Sequence, residues 1–260
     1  MFRVRMKQLL GSGVFWGTVL LFAVIMVAGA YTDLPAARVN SSSVLYLYLV
    51  TSTVGIAHVL VPVVTILPFA FFYVEEMEKK AVYYNLIRSS KRAYYGSNIA
   101  AAVLSSMLVS AFALLIFVLV CLGYGAVFGY SDAVLSFFEG SIYGDWLTDG
   151  RHVWVLLVKL LAFVVLSAPW GVLCLAVSVF SRNKYVILAA PFLIEWAVSV
   201  VLQMLGLWLL DPGMTLLNGP GLRLPFGGIP YSLGYNGALV AILSTFYYVM
   251  SKRRYRREGI

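Results

Sequence analysis

The charged side chains with the most regular spacing in this 260-residue chain lie in one segment, residues 75–92, between two apolar runs. Glu75 and Lys79 are opposite charges four residues apart, as are Glu76 and Lys80, and this spacing stabilises a helix. The acids come first and the bases last, in the order that complements the helix macrodipole. Apolar side chains at helical spacing complete the pattern: Val82, Tyr83, Leu86 and Ile87. The segment is predicted to form a short amphipathic helix, which binds either a partner protein or lipid headgroups.

Glu195 is the one acidic residue inside an apolar run. It lies about ten residues into residues 185–210, roughly halfway across a bilayer at a rise of 1.5 Å per residue. A carboxylate at that depth is costly unless it is protonated, paired or facing a polar cavity. Two interpretations remain open: Glu195 belongs to a substrate path or an ion-coupling site, or it is a neutral acid hydrogen-bonded to a neighbouring helix.

Lys159 is the one basic residue inside an apolar run. It lies near the external end of residues 153–180, where a long side chain can reach outward to the membrane surface. Its depth differs from that of Glu195 by about 10 Å on the helical rise, so no direct ion pair between the two is expected.

Other chemistry-bearing residues are isolated. His58 and His152 are far apart in sequence and have no ligand-spaced partner, and Cys121 and Cys174 lie within apolar runs, so no metal site is predicted. Phosphate-binding and catalytic motifs are lacking too, including Gly-x-x-x-x-Gly-Lys-Ser/Thr, His-Glu-x-x-His and a Ser/His/Asp set. We therefore predict no catalytic residues and no nucleotide hydrolysis on this chain.

The elements that position these residues follow from composition. The chain is 62% hydrophobic and 12% charged, with a mean hydropathy of +0.90, so its main solvent is lipid. Apolar runs of this length suit helices rather than barrel strands. An all-α polytopic membrane protein is predicted, with six transmembrane helices: residues 14–30, 53–73, 98–122, 153–180, 185–210 and 232–250. The first run is interpreted as a retained helix rather than a cleaved signal peptide, because five more follow and Trp16 lies near its start.

Basic residues give the orientation. Three Lys or Arg residues fall on one side of the predicted spans: Arg38, Arg151 and Arg223. Fifteen fall on the other side: Arg3, Arg5, Lys7, Lys79, Lys80, Arg88, Lys91, Arg92, Arg182, Lys184, Lys252, Arg253, Arg254, Arg256 and Arg257. This bias places both termini in the cytoplasm. The external loops are then residues 123–152 and 211–231, and the second, rich in turn formers and apolar residues, is expected to be structured and partly re-entrant.

This pattern resembles the membrane subunit of ABC-2-type transporters over nearly the whole chain. The resemblance rests on the acids that close the second span, the amphipathic segment after it, and a Ser-Lys-Arg turn before a span rich in small residues. Arg-Met-Lys-Gln-Leu-Leu before the first span and Ser-Arg-Asn-Lys-Tyr between the fourth and fifth fit as well. Ser90 departs from the family, since many members have proline in that turn.

The resemblance implies that residues 75–92 are a coupling helix that docks on a separate ABC-type ATPase subunit, which binds the ATP and magnesium. Its contacts would be Glu75, Glu76, Glu78, Lys79, Arg88 and Arg92. A second permease chain, identical or not, would complete a substrate path in a bacterial plasma membrane. Membrane lipid is then the solvent, no nucleic-acid partner is expected, and the substrate is a peptide, a lipid-like molecule or a drug. The alternatives are an integral membrane enzyme acting on lipid and a non-transporting scaffold or immunity protein.

Overall fold

The structure is a computed structural model that describes residues 2–35, 43–54, 56–78, 82, 84, 90–181, 183–211 and 224–257. Every named element in these residues is helical, which confirms the predicted all-α class. The first half contains helices α1 (Phe2–Leu10), α2 (Gly13–Gly29), α3 (Val44–Leu49), α4 (Ile56–Val64), α5 (Leu67–Glu78) and α6 (Lys91–Gly123). The second half contains α7 (Asp132–Phe137), α8 (Ile142–Thr148), α9 (His152–Ser178), α10 (Lys184–Met204) and α11 (Ile229–Arg257).

Within the described residues, five helical segments are long and apolar enough to cross a membrane. A sixth span results if α1 and α2 are taken together, although they meet at an angle of 60°. The bend falls at residues 11–12, where Ser12 caps α2 by accepting a hydrogen bond from the backbone N–H of Phe15. A helical membrane protein is therefore the fold. With 17 residues, α2 is long enough for a candidate span only when it is taken together with α1.

The second predicted span is interrupted next to two prolines. Residues 65–66 separate α4 from α5, with Pro62 before the break and Pro68 just after it. Proline has no backbone N–H to donate, and its ring clashes with the carbonyl one turn earlier, so α4 cannot run straight into α5. The apolar helical segment that is long enough to cross a membrane here covers Val59–Glu78, so the helix continues past residue 73.

The long helices α6 and α9 form the centre of the bundle. They pack against each other, and α9 also packs against α11 and α10 while α6 packs against α2. Close approach occurs at Gly171, where an added Cβ would lie 2.5 Å from the carbonyl oxygen of Ala102 and 2.8 Å from Ser106 Oγ. Small residues let the two backbones meet in this way, as in other membrane bundles.

The predicted loop 123–152 is itself folded. Its two short helices, α7 and α8, form a hairpin that packs on α9, α3 and the 3-10 turn Pro225–Gly228. Side chains one turn apart face inward on each helix, Val134 with Phe138 and Tyr143 with Leu147. We call residues 131–150 the hairpin and the end of the bundle that it covers the hairpin end. The opposite end, where α5 ends and α6 begins, is the basal end.

Candidate functional site

Three helices bring polar side chains to the basal end on their inward faces. On α5, Tyr73 and Glu76 are three residues apart and both are buried. Tyr94 and Asn98 are one helical turn apart at the start of α6, and so are Tyr247 and Ser251 near the end of α11. All six side chains are buried, so each polar group needs a partner within the protein.

Arg5 of α1 provides the central partner. Its Nη2 donates to Glu76 Oε1 at 2.8 Å, and the side chains of this ion pair are only 6% and 7% exposed. Its Nη1 donates to Asn98 Oδ1. The guanidinium also lies over the ring of Tyr94, 4.9 Å from the ring centroid. One arginine thus joins the N-terminal helix to the end of α5 and the start of α6.

Tyr247 extends the network to α11. Asn98 Nδ2 donates to its hydroxyl at 3.1 Å, and the hydroxyls of Tyr247 and Tyr73 lie 3.2 Å apart in a further hydrogen bond. The Tyr94 hydroxyl approaches Glu76 Oε1 at 3.5 Å. Four helices are therefore connected through buried polar contacts, which we call the basal network: Arg5, Tyr73, Glu76, Tyr94, Asn98 and Tyr247.

A buried network of this kind fixes relative helix positions. Removing two charges from water costs several kcal/mol per ion, on the order of what good geometry and added hydrogen bonds return. Such a pair contributes little net stability, but it strongly disfavours any arrangement that leaves one partner alone. The ends of α5 and α6 are consequently held in one geometry relative to α1 and α11.

The predicted coupling residues are placed in three ways. Glu75 and Glu78 at the end of α5 and Arg92 at the start of α6 are exposed. Glu76 is buried in the basal network, so its carboxylate is not presented on the surface of this chain. Lys79 and Arg88 lie outside the described residues.

The bounds of the predicted helix 75–92 need correction. Residues 75–78 continue α5 without a break, so they belong to the helix of the second span. Ser90 has an extended backbone and caps α6 by accepting a hydrogen bond from the Ala93 N–H, so Lys91 and Arg92 belong to the next helix. A separate element between the spans can occupy only residues 79–89, of which the structure describes residues 82 and 84, both helical. In the sequence, charged residues on both sides of residues 78 and 90 made the predicted helix look continuous across these two boundaries.

Glu195 lies halfway along α10, whose most apolar stretch is only 11% buried within this chain. The chain reverses direction after α10 at Gly206, which has a φ of +71°. A non-glycine residue would be strained in this conformation. The reversal returns Asp211 to the helix, where it accepts hydrogen bonds from Ser199 Oγ at 2.7 Å and Gln203 Nε2 at 2.8 Å. Glu195, Ser199 and Gln203 are four residues apart, so they form a polar stripe on α10 that ends at a buried carboxylate.

Lys159 does not reach the outer surface, and that expectation is wrong. Its side chain is buried beneath the hairpin, with Nζ 4.1 Å from the centroid of the Tyr143 ring and 5.2 Å from that of Phe138. Residues 123–152 are predicted from the sequence to be a loop. Part of this stretch forms the helical hairpin, and the hairpin covers the lysine. As expected, no ion pair with Glu195 occurs among the described residues.

Sequence reasoning missed most of the basal network. Arg5 was counted only as one of the basic residues that orient the chain, and Asn98 only as the start of a span. One signal was present: polar residues one helical turn apart inside otherwise apolar segments, as in Tyr94 with Asn98. That spacing indicates a buried polar face, but it does not say which helices meet there.

Comparison of the chain with protein-family models, with curated proteins and with solved structures returns no match.

Proposed function

We propose that this chain is the permease subunit of an ATP-driven exporter of the ABC-2 type, acting with a separate ATPase subunit and a second permease chain. The observation that carries the proposal is how residues 79–89 are flanked. Glu76 lies just before this segment and Tyr94 and Asn98 just after it, and Arg5 contacts all three. A partner that pushes on the segment therefore acts on α5 and α6 together.

The force then passes to the rest of the bundle. Arg5 connects the flanks to α1, and Asn98 connects them to α11 through Tyr247. Because unpairing any member leaves a buried polar group unsatisfied, the four helix ends move as a unit rather than separately. Coupling nucleotide-driven closure of an ATPase to movement of a membrane bundle requires such a connection.

The surface that would receive the ATPase consists of residues 79–89 and the exposed charges on either side. Glu75 and Glu78 lie on one side, and Arg92 lies on the other. In the sequence analysis Glu76 is an expected ATPase contact, but in this proposal it has a different role. It positions the segment from within the protein and does not contact the partner.

The substrate path would run along α10. A carboxyl group in the middle of a span is costly against lipid, so the half-buried Glu195 on this largely uncovered helix requires a polar cavity or a protein partner. A second permease chain facing α10 supplies both. The polar stripe from Glu195 to Asp211 would then line the space between two chains in a multi-pass plasma-membrane complex.

Co-purification tests the proposal. The tagged chain, extracted from its native membrane in mild detergent, should bring down a stoichiometric ATPase of the ABC type, identified by mass spectrometry. Reversing both exposed acids, with Glu75→Lys and Glu78→Lys together, should remove that ATPase while the chain stays inserted and folded. The matched control reverses two exposed acids of the hairpin, with Glu139→Lys and Asp145→Lys, and should retain it.

Two results would contradict the proposal. One is the reproducible absence of any ABC-type ATPase from well-folded protein. The other is full retention of the ATPase by the Glu75→Lys, Glu78→Lys variant, which would show that the basal end is not the docking surface. Glu76→Lys is a poor reagent for this question, because it breaks the buried pair with Arg5 and disturbs the fold itself.

A further inference from the structure

Lys159 of α9 is a buried cation that lies beneath the hairpin. It is 5% exposed, and among the described residues no carboxylate lies within ion-pair distance of its Nζ. Among the described residues, the ammonium therefore has aromatic rings, but no anion, as its partners.

The hairpin separates Lys159 from the nearby acids. Phe138 and Tyr143 on the inner face of the hairpin cover the ammonium. Asp132, Glu139 and Asp145 are exposed and line an open recess of about 380 Å³, whose lining includes neither ring. Burial raises the pKa of the Tyr143 hydroxyl to about 12, so this phenol stays neutral and provides no phenolate.

The buried ammonium makes the closed hairpin less stable than an apolar side chain at residue 159 would. Burying an ammonium costs several kcal/mol, whereas each cation–π contact returns about 0.5–2 kcal/mol. When the hairpin lies against α9, Lys159 is thus incompletely compensated, and lifting the hairpin returns the ammonium to water. Glycine turns flank α8, because Gly140 and Gly150 have φ angles of +72° and +76°, and a Cβ at either would meet no atom within 4 Å.

We propose that the hairpin is a lid over an anion-binding site, and that Lys159 binds the anionic group of an amphipathic ligand when the lid lifts. The ligand chemistry is a phosphate or carboxylate, because an ammonium with three N–H donors and no ion-paired acid among the described residues is stabilised most by such a group. The rings of Phe138 and Tyr143 occupy the position above Nζ when the lid is closed, so anion and rings compete. The site lies at the hairpin end and does not depend on an ATPase partner.

Hydrogen exchange of the hairpin amides in the purified full-length chain tests whether the charge of Lys159 favours opening of the hairpin. Lys159→Met removes the buried charge and keeps an apolar chain of similar length, so exchange across residues 131–150 should slow by about tenfold. Lys159→Arg keeps the charge and should exchange about as fast as the wild type. Lys184→Met is the matched control, because Lys184 also lies over a tyrosine ring but is exposed at the basal end.

The ligand is tested with lysophosphatidate against lysophosphatidylcholine of the same acyl chain. Lysophosphatidate should accelerate exchange of the wild-type hairpin several-fold by binding the open state, with no such effect in Lys159→Met or from the zwitterionic lipid. An equal effect from inorganic phosphate would identify a free anion rather than a lipid headgroup as the source. Faster exchange in Lys159→Met would overturn the proposal, since the lysine would then be a latch. An identical response to both lipids would overturn it as well.

Discussion

Arg5 and Lys159 show how differently two buried cations can be treated in one chain. Arg5 has a carboxylate, an amide oxygen and a ring as partners, so its charge is matched where it lies. Lys159 has two rings and no carboxylate among the described residues. The first arrangement disfavours movement and the second favours it. Both side chains are buried, so burial does not distinguish Arg5 from Lys159, whereas the groups that each contacts do.

The Arg5–Glu76 pair predicts a large effect from a small change. Glu76→Gln removes one charge and leaves the guanidinium buried, which should cost about 3–5 kcal/mol of the free energy of unfolding. Glu78→Gln, two residues along on the exposed side, should change it by less than about 0.5 kcal/mol. Denaturant titration of the purified chain in mild detergent measures both.

A double variant separates pairing from packing at this site. Arg5→Met with Glu76→Met removes both charges, so it should be less destabilising than the sum of the two single changes. Additive losses would show that the two charges do not interact, and would remove the central contact of the basal network.

At the scale of elements, the contact between α6 and α9 depends on the absence of one side chain. Gly171 of α9 faces the backbone of α6 at Ala102, and the carbonyl there cannot move aside as a flexible side chain could. The two helices can be this close only because residue 171 lacks a Cβ. Other glycines of the bundle, such as Gly96 of α6, face open space.

Gly171→Ala should therefore separate α6 from α9. A Cβ placed 2.5 Å from a carbonyl oxygen forces a backbone shift, with an expected cost of about 1–3 kcal/mol in the free energy of unfolding. Gly96→Ala introduces the same methyl group in a helix with no atom within 4 Å, and should be neutral or stabilising by up to about 1 kcal/mol. Equal stabilities of the two variants would contradict the close packing.

Helix lengths also set how the bundle sits in a bilayer. The 33 residues of α6 extend about 50 Å at 1.5 Å per residue, well beyond a hydrocarbon core of about 30 Å. Its first turns carry Lys91 and Arg92, so the excess length lies at the basal end. The basal network is consequently expected at or beyond the membrane surface, where the proposed ATPase could reach the neighbouring segment.

At the scale of the whole molecule, the first and last described helices both reach the basal end. Arg5 of α1 contacts α5 and α6, and Arg254 near the end of α11 donates to the carbonyl oxygen of Val179 at 2.6 Å. The hairpin lies at the other end of the bundle. This arrangement fits an even number of crossings and the charge bias that predicts cytoplasmic termini.

Cysteine labelling in whole cells should reveal this topology. Glu139→Cys on the hairpin should react with a membrane-impermeant maleimide in intact cells, whereas Arg3→Cys and Arg253→Cys should react only after permeabilisation. All three positions are exposed, and native Cys121 and Cys174 are buried, so background labelling is low. Reaction of Arg3→Cys and Arg253→Cys from opposite sides would rule out six crossings.

Local patterns in the sequence determined the fold class of this protein and the position of one helix break. Apolar runs too long for barrel strands made it a helical membrane protein, and the break between α4 and α5 follows from Pro62 and Pro68. These features depend on interactions within a few residues, which sequence spacing reports directly. Among the described residues, five of the predicted runs overlap helical segments that are long and apolar enough to cross a membrane.

Tertiary structure alone decided which polar groups meet. Arg5 and Glu76 are 71 residues apart, and nothing in either segment names the other as its partner. The same charge pattern that predicted a coupling helix placed Glu76 on its surface, whereas the packing of α1 turned that residue into the interior. From the sequence, Lys159 is likewise expected to reach the membrane surface, whereas in the structure the hairpin covers it. Side-chain charge and helical face are local properties, but burial and pairing depend on which helices pack together, and that is decided by the bundle as a whole.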